Sequence, residues 1–268
     1  MAQNNLTLQL TEWRPYAELY PGDQHTAVGN VLVLPQVYSP QLEGTRDIIV
    51  YLPPSYSSGG RRYPVVYLQD AQNLFDAATS FAGVEWQVDE TLEALSAEGL
   101  EAIAVGIPHR GEQRLHEYTP PANPWWRGLG DRYVAFIVET LKPLIDQTFR
   151  TQPDRTHTGL FGSSLGALIS LYGFFERPDV FGRCGAMSPS VWVGRGVIHQ
   201  HVRAPQTGDR LYLDNGTREN SACPLVELLL AQGYREDGEL KYVVEEGGQH
   251  SEAAWARRLP GALRFLLG

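Results

Sequence analysis

Residues 158–175 have the sequence TGLFGSSLGALISLYGFF, in which a short apolar run, a pair of serines and a longer apolar segment follow one another. The first run is typical of a buried strand, and the longer segment is apolar on nearly every side, as in a buried helix. Between them, Gly162 and Gly166 lie two residues before and two residues after Ser164. This G-x-S-x-G spacing predicts a sharp turn from strand to helix with Ser164 at its apex.

Strand and helix patterns alternate along the rest of the chain. Short apolar runs typical of buried strands lie at 65–68, 102–107, 211–213 and 241–244. Patterns typical of helices lie at 84–95, 131–147, 224–231 and 253–266. Such alternation predicts an α/β protein with a mostly parallel central sheet and helices on both faces. Turn-rich stretches separate three earlier segments, which predict antiparallel strands at the amino-terminal edge: 6–10, 31–34 and 48–52.

The chain has 268 residues, of which 43% are hydrophobic and 20% charged, as in soluble globular proteins. We predict one domain over residues 1–268, with a candidate lid or insert around 109–130. The formal net charge of −9 argues against a nucleic-acid partner and against an anionic membrane surface. The first residues lack the pattern of a signal peptide and no stretch has the length of a membrane span, so we expect a cytoplasmic protein.

The serine at the centre of the G-x-S-x-G pattern is the candidate nucleophile. Small residues on both sides let the backbone turn sharply and expose the hydroxyl of Ser164. Because the chain has 27 glycines, the pattern alone is weak support. A strand before it and an apolar helix after it provide the context of an α/β-hydrolase fold, and Ser163 is not at the centre of the pattern.

A serine nucleophile needs a general base, and in this fold the order along the chain is serine, acid, histidine. Three histidines follow Ser164. His250 lies in a glycine-containing loop between a predicted strand and the last predicted helix, where a base is expected. His199 and His201 lie in a polar stretch without such placement, and we interpret them as surface residues.

The acid of the triad is expected after a strand that lies between the serine and the histidine. Two carboxylates follow the predicted strand at 211–213. Asp214 directly ends the strand, and Glu219 lies beyond the turn at Gly216. A carboxylate would hold the imidazole of His250 in the correct tautomer. Position alone leaves both candidates open.

An oxyanion hole requires two backbone N–H groups that point to the same place. One is expected from Leu165, the residue after the nucleophile. The other is expected from the loop after the strand at 65–68. In that loop the N–H of Gln72 is the first candidate and that of Ala71 the second.

The chain resembles the esterase family of α/β hydrolases that includes feruloyl and acetyl-xylan esterases, enterochelin esterases, S-formylglutathione hydrolases and mycolyltransferases. The resemblance runs from about Val31 to Leu266. The matching segments are YLQDAQNLFD (67–76), RLHEYTP (114–120), GSSLG (162–166), MSPS (187–190), NGTRE (215–219) and GGQH (247–250). The resemblance implies Glu219 as the acid and the Gln72 N–H for the oxyanion hole. Ala71 is a departure, because relatives usually have glycine there.

We expect a serine carboxylic-ester hydrolase that forms an acyl-enzyme on a small-molecule ester of the short acyl, acetylated sugar, feruloyl or siderophore type. An acyltransferase with the same triad and a non-catalytic binding protein on the same fold are the alternatives. No cofactor and no metal are expected, and Asp70 and Asp76 are interpreted as shaping their loop. Candidate substrate-binding side chains are the aromatic residues Trp125, Trp126 and Trp192.

The segment at 114–120 also carries two opposite charges. Arg114 and Glu117 are three residues apart. We interpret them as a structural ion pair rather than as contacts to the substrate.

Overall fold

A computed structural model describes residues 12–121 and 128–268. In these residues one sheet of nine strands runs through the molecule, in the order β1-β2-β3-β5-β4-β6-β7-β8-β9. The strands are β1 (Arg14–Pro15), β2 (Asn30–Ser39), β3 (Gly44–Leu52), β4 (Val65–Gln69), β5 (Ile103–Ile107), β6 (Thr158–Ser163), β7 (Arg183–Met187), β8 (Arg210–Gly216) and β9 (Leu240–Glu245).

The strand directions agree with the predicted antiparallel amino-terminal edge and the predicted parallel sheet after it. β1 pairs antiparallel with β2, β2 with β3, and β3 with β5. All pairs among β4 to β9 are parallel. The predicted α/β-hydrolase fold, with antiparallel strands at the amino-terminal edge, is confirmed. The predicted strand at 6–10 lies outside the described residues.

The helices are α1 (Tyr16–Leu19), α2 (Val88–Ser96), α3 (Arg114–Glu117), α4 (Gly130–Ala135), α5 (Lys142–Thr148), α6 (Leu165–Glu176), α7 (Val193–Gly196), α8 (Cys223–Ala231) and α9 (Glu252–Leu267). A π-helical segment, Phe136–Leu141, joins α4 to α5, so the helix predicted at 131–147 is continuous. Among the described residues, no helix is both long and apolar enough to span a membrane.

Each face of the sheet carries its own hydrophobic core. Successive side chains of a strand point to opposite faces, and β4 shows this: Val65 and Tyr67 belong to one core, Val66 and Leu68 to the other. Helices α4, α5, α6 and α8 pack on the first face, and α1, α2 and α9 on the second. Each large apolar side chain contributes about 1.5–3 kcal/mol when fully buried, so both cores stabilise the packing of the helices on the sheet.

β7 is a strand that the sequence patterns did not predict. Its sequence, RCGAM, contains no β-branched and no aromatic residue, so it lacks the usual strand signal. Gly185 lies in its centre, where a Cβ atom would come within 2.2 Å of the ring of Phe161. Close packing therefore requires glycine at this position, and because glycine is not typical of strands, the sequence pattern does not indicate β7.

The candidate lid around 109–130 is only partly described. A turn of 3-10 helix at Gly111–Gln113 leads into α3, and the chain reaches α4 at Gly130. Residues 122–127 lie outside the described residues, so the lid and the single-domain boundary stay predictions.

Candidate active site

Ser164 lies between β6 and α6 in a conformation that is unusual for a residue with a side chain. Its φ is 55° and its ψ is −120°, a strained combination for any residue other than glycine. A Cβ atom on Gly162 would lie 2.4 Å from the carbonyl carbon of Gly166. The two glycines thus permit the close approach of strand and helix that holds Ser164 at the top of the turn.

The hydroxyl of Ser164 faces the imidazole of His250. The Ser164 Oγ to His250 Nε2 distance is 3.0 Å, and the Ser164 Oγ to Ser190 Oγ distance is 3.2 Å. His250 follows β9 and precedes α9, and its ring stands edge-on to that of Trp255 with centroids 5.0 Å apart. The structure therefore brings the predicted nucleophile and the predicted base within hydrogen-bond distance.

Glu219 lies on the far side of the histidine ring. Its Oε2 is 2.7 Å from His250 Nδ1, and its Oε1 accepts hydrogen bonds from the Gly216 N–H at 2.6 Å and from Ser188 Oγ at 2.8 Å. Burial raises the pKa of Glu219, but these hydrogen bonds outweigh burial and hold the pKa below its ordinary value. Glu219 is therefore ionised at neutral pH, with its negative charge directed at His250.

The loops that carry Glu219 and His250 touch each other. A Cβ atom on Gly216 would lie 2.1 Å from the carbonyl oxygen of Gly248. The Arg218 N–H donates to that same carbonyl at 3.0 Å, and the Gly247 N–H donates to Thr217 Oγ1 at 2.9 Å. The loop after β8 and the loop after β9 are thereby fixed to one another.

Asp214, the other candidate acid, is not brought to the histidine. It is fully buried below Ser188, whose N–H donates to Asp214 Oδ1 at 3.1 Å, and its Oδ2 lies 3.3 Å from the Arg258 guanidinium. Burial raises the pKa of Asp214 to about 7, although Arg258 and the Ser188 N–H oppose the rise. Of the two open candidates, the structure places only Glu219 beside His250.

Among the residues expected to form an oxyanion hole, Leu165 follows Ser164 in the chain and Gln72 lines the same cavity as Ser164. Ala71 and Gln72 belong to a turn of 3-10 helix, Ala71–Asn73, that follows β4, and Leu165 is the first residue of α6. Within the described part of the chain, the amide N–H groups of Ala71, Gln72 and Leu165 donate to no protein acceptor. They are free to bind an oxygen of a substrate.

The turn at 71–73 is anchored through Asp70, which has a left-handed backbone with φ of 58°. Arg114 donates two hydrogen bonds of 2.8 Å to the carboxylate of Asp70. The expected ion pair between Arg114 and Glu117 is wrong, because Glu117 instead pairs with the buried guanidinium of Arg46 at 3.1 Å. Arg114 thus acts on the loop that carries Gln72.

A cavity of about 490 Å³ opens beside Ser164. Its wall contains both polar and aromatic side chains, most of which sequence analysis did not assign to the site: Asn73, Thr79, Phe81, His109, Arg114, Glu252 and Trp255. His109 Nδ1 accepts a hydrogen bond from the Gly111 N–H at 2.9 Å, and burial lowers the pKa of His109. In its neutral form His109 therefore carries its proton on Nε2.

Of the predicted substrate-binding tryptophans, Trp192 lies in the described part of the chain, and it does not line this cavity. Trp192 is 47% exposed and lines a neighbouring groove together with Val191, Arg195 and His199. Trp125 and Trp126 lie outside the described residues.

Comparisons with known proteins place the chain in a family. The sequence model of the family described as "Putative esterase" matches residues 39–266. The uncharacterized protein YbbA of Bacillus subtilis (strain 168) is 28% identical over 84% of this chain and 94% of its own length. The siderophore enterobactin esterase of Emericella nidulans is 28% identical over 76% of this chain and 69% of its own length.

The fold has close counterparts among solved structures. The BES protein from Bacillus cereus superimposes with a TM-score of 0.72 at 23% identity, over 92% of this chain and 98% of that chain. The family match spans most of the sequence and includes the segments that carry Ser164, Glu219 and His250. The chain thus belongs to the "Putative esterase" family and is a carboxylesterase-type hydrolase that acts on ester bonds.

Proposed function

We propose that the protein hydrolyses carboxylic esters through a Ser164-His250-Glu219 triad and a covalent acyl-enzyme. The observation that carries the proposal is the continuous chain of contacts from Ser164 Oγ to His250 Nε2, 3.0 Å, and from His250 Nδ1 to Glu219 Oε2, 2.7 Å. This arrangement of nucleophile, base and acid is the one that activates a serine hydroxyl.

In the first half-reaction, Ser164 Oγ attacks the ester carbonyl while its proton moves to His250 Nε2. Glu219 stabilises the imidazolium that forms. The amide N–H groups of Gln72 and Leu165 stabilise the negative oxygen of the tetrahedral intermediate, and one such donor typically contributes about 10²–10³ in rate. His250 then donates the proton to the leaving alcohol as the acyl-enzyme forms.

In the second half-reaction, a water molecule replaces the alcohol. His250 Nε2 accepts a proton from this water as its oxygen attacks the acyl-enzyme carbonyl. Collapse of the intermediate releases the carboxylic acid and returns the proton to Ser164 Oγ. His250 is 37% exposed, so water has access to the base.

The cavity supports a small ester with a polar aromatic acyl group, of the feruloyl or siderophore type. Phe81 and Trp255 offer aromatic surface, while His109, Arg114 and Glu252 offer hydrogen-bonding groups. An apolar lining would instead suit an alkyl chain. The name of the relative from Emericella nidulans, a siderophore esterase, supports the same class.

Active-site labelling tests the mechanism. A fluorophosphonate is expected to label Ser164 and to abolish hydrolysis of p-nitrophenyl acetate, and Ser164→Ala should lose both the labelling and the turnover. Ser170→Ala is the matched control, because the Ser170 hydroxyl is buried in α6 without a partner among the described residues. Turnover by Ser164→Ala at the wild-type rate would rule out the serine mechanism.

A second assay identifies the acyl group and the acceptor. Feruloyl and catecholate esters should be hydrolysed faster than alkyl esters of equal size. The free acid should remain the main product when an alcohol is added. A dominant transesterification product would instead identify an acyltransferase.

A further inference from the structure

The hydroxyl of Ser188 lies behind the triad and takes part in three hydrogen bonds. Ser188 directly follows β7, and its side chain is buried. Ser188 Oγ accepts from Trp255 Nε1 at 2.9 Å and from the Arg258 guanidinium at 2.8 Å. The third contact is to Glu219 Oε1 at 2.8 Å.

These partners determine the direction of the hydroxyl proton. A serine hydroxyl has two lone pairs and one proton. Trp255 Nε1 and the Arg258 guanidinium can only donate, so they occupy both lone pairs of Ser188 Oγ. The remaining proton then has only the carboxylate of Glu219 to bind, which makes Ser188 a dedicated donor to that acid.

The backbone and the donors around Ser188 are fixed as well. Its φ of 44° is unfavourable for serine, and its N–H donates to the Asp214 carbonyl at 2.9 Å and to Asp214 Oδ1 at 3.1 Å. Arg258 is fixed in turn by Asp214 and Glu245, each 3.3 Å away. Strain of this kind persists where the surroundings impose it, and it is common at functional sites.

We propose that Ser188 is a positioning residue of the triad, whose hydroxyl orients Glu219 so that Oε2 faces His250 Nδ1. The proposal rests on the proposed function of the triad. Within the described residues, Ser188 is not part of the cavity wall. Its contribution should therefore affect the chemical step and leave substrate binding unchanged.

Replacement of Ser188 by alanine tests this role. In Ser188→Ala, kcat should fall roughly ten- to a hundredfold, because small misplacements of catalytic groups have effects of that order. KM should stay at the wild-type value. The control is Ser170→Ala, which also removes a buried hydroxyl but one without a partner in the described part of the chain, and its kcat should not change.

A spectroscopic measurement separates positioning from a general structural effect. The proton between His250 Nδ1 and Glu219 should give a low-field proton NMR signal in the wild type. This signal should move upfield or broaden in Ser188→Ala and stay in place in Ser170→Ala. Ser188→Gly removes the hydroxyl and accepts the positive φ, so it provides the same test if the alanine variant fails to fold.

Wild-type kcat together with an unmoved low-field signal in either Ser188 variant would overturn the proposal. Failure of the proposed function would look different. In that case the wild type would lack esterase activity, or Ser164→Ala would retain it, and the NMR signal would still report on Ser188.

Discussion

Gly216 and Gly248 approach each other so closely that a methyl group on Gly216 would lie 2.1 Å from the Gly248 carbonyl oxygen. This backbone contact joins the two loops that carry Glu219 and His250. No side-chain rotation can relieve a clash between a Cβ atom and a backbone carbonyl, so glycine is required at this crossing.

Gly216→Ala should therefore lower both activity and stability. Overpacking of this kind costs typically about 1–3 kcal/mol, and kcat should fall because Glu219 and His250 move apart. The free energy of unfolding in urea and the turnover of p-nitrophenyl acetate measure the two effects.

Gly261→Ala is the control for this change. Gly261 lies in α9, and an added Cβ there would meet no atom within 4 Å. Helix propensity predicts a gain of about 0.5–1 kcal/mol for this variant. Equal stability and equal activity of the two variants would show that the loop contact has no role.

The two candidate acids should respond differently to loss of charge. Glu219→Gln leaves the imidazolium of His250 without its stabilising charge, and kcat should fall by roughly 10²–10⁴. Asp214→Asn should keep most of the activity and instead lower stability, because Arg258 loses a buried partner. Steady-state kinetics and urea unfolding of both variants measure these effects. A larger loss of kcat in Asp214→Asn than in Glu219→Gln would contradict the assignment of Glu219 as the acid.

Arg114 should act through the loop that carries Gln72. Arg114→Lys retains the positive charge but cannot form the two parallel hydrogen bonds to Asp70. We expect a lower kcat on p-nitrophenyl acetate, whose small acyl group does not reach far into the cavity.

Arg177→Lys is the matched control for Arg114→Lys. Arg177 makes the same paired hydrogen bonds to Asp179, at 2.9 and 2.7 Å, but on the surface. Its kinetics should equal those of the wild type. If both lysine variants lose activity equally, or neither does, the loop is not held by Arg114.

Asp89 should make stability depend on pH. It is fully buried at the start of α2, and burial raises its pKa well above the usual range. The unfolded chain then ionises Asp89 at lower pH than the folded protein does, so stability falls as pH rises above about 4. Asp89→Asn removes this titration, so its stability relative to the wild type should increase from pH 4 to pH 8.

Thermal unfolding across this pH range measures the effect, and Asp179→Asn is the control, because the contribution of Asp179 changes only below about pH 4. The Arg177 guanidinium holds the pKa of Asp179 below its ordinary value. That stabilising contribution is present above the unfolded pKa and is lost as pH falls. Parallel pH curves for the wild type and Asp89→Asn would refute the role of Asp89.

Sequence patterns predicted those features that depend on nearby residues. The turn at Ser164 depends on Gly162 and Gly166, two positions away, and the pattern contains all three. The position of His250 follows from its place between a strand and a helix. The choice between Asp214 and Glu219 stayed open because the spacing from the strand does not determine which carboxylate points toward His250.

These patterns could not predict contacts between distant parts of the chain. Arg114 binds Asp70, 44 residues earlier, and the donors to Ser188 come from Trp255 and Arg258, 67 and 70 residues later. No periodicity links such positions. They become neighbours only because parallel strands end at the same edge of the sheet and α9 packs across it.

Because β9 lies at the end of the sheet, loss of structure there would affect the acid and the base together. Ser164 follows β6 in the interior of the sheet, whereas His250 follows the terminal strand and is joined to the Glu219 loop. If this edge of the sheet unfolds first on heating, Glu219 and His250 move away from Ser164 together. Ser164 itself stays held between β6 and α6. Inactivation would then precede global melting, and it would be reversible for as long as the interior strands stay paired.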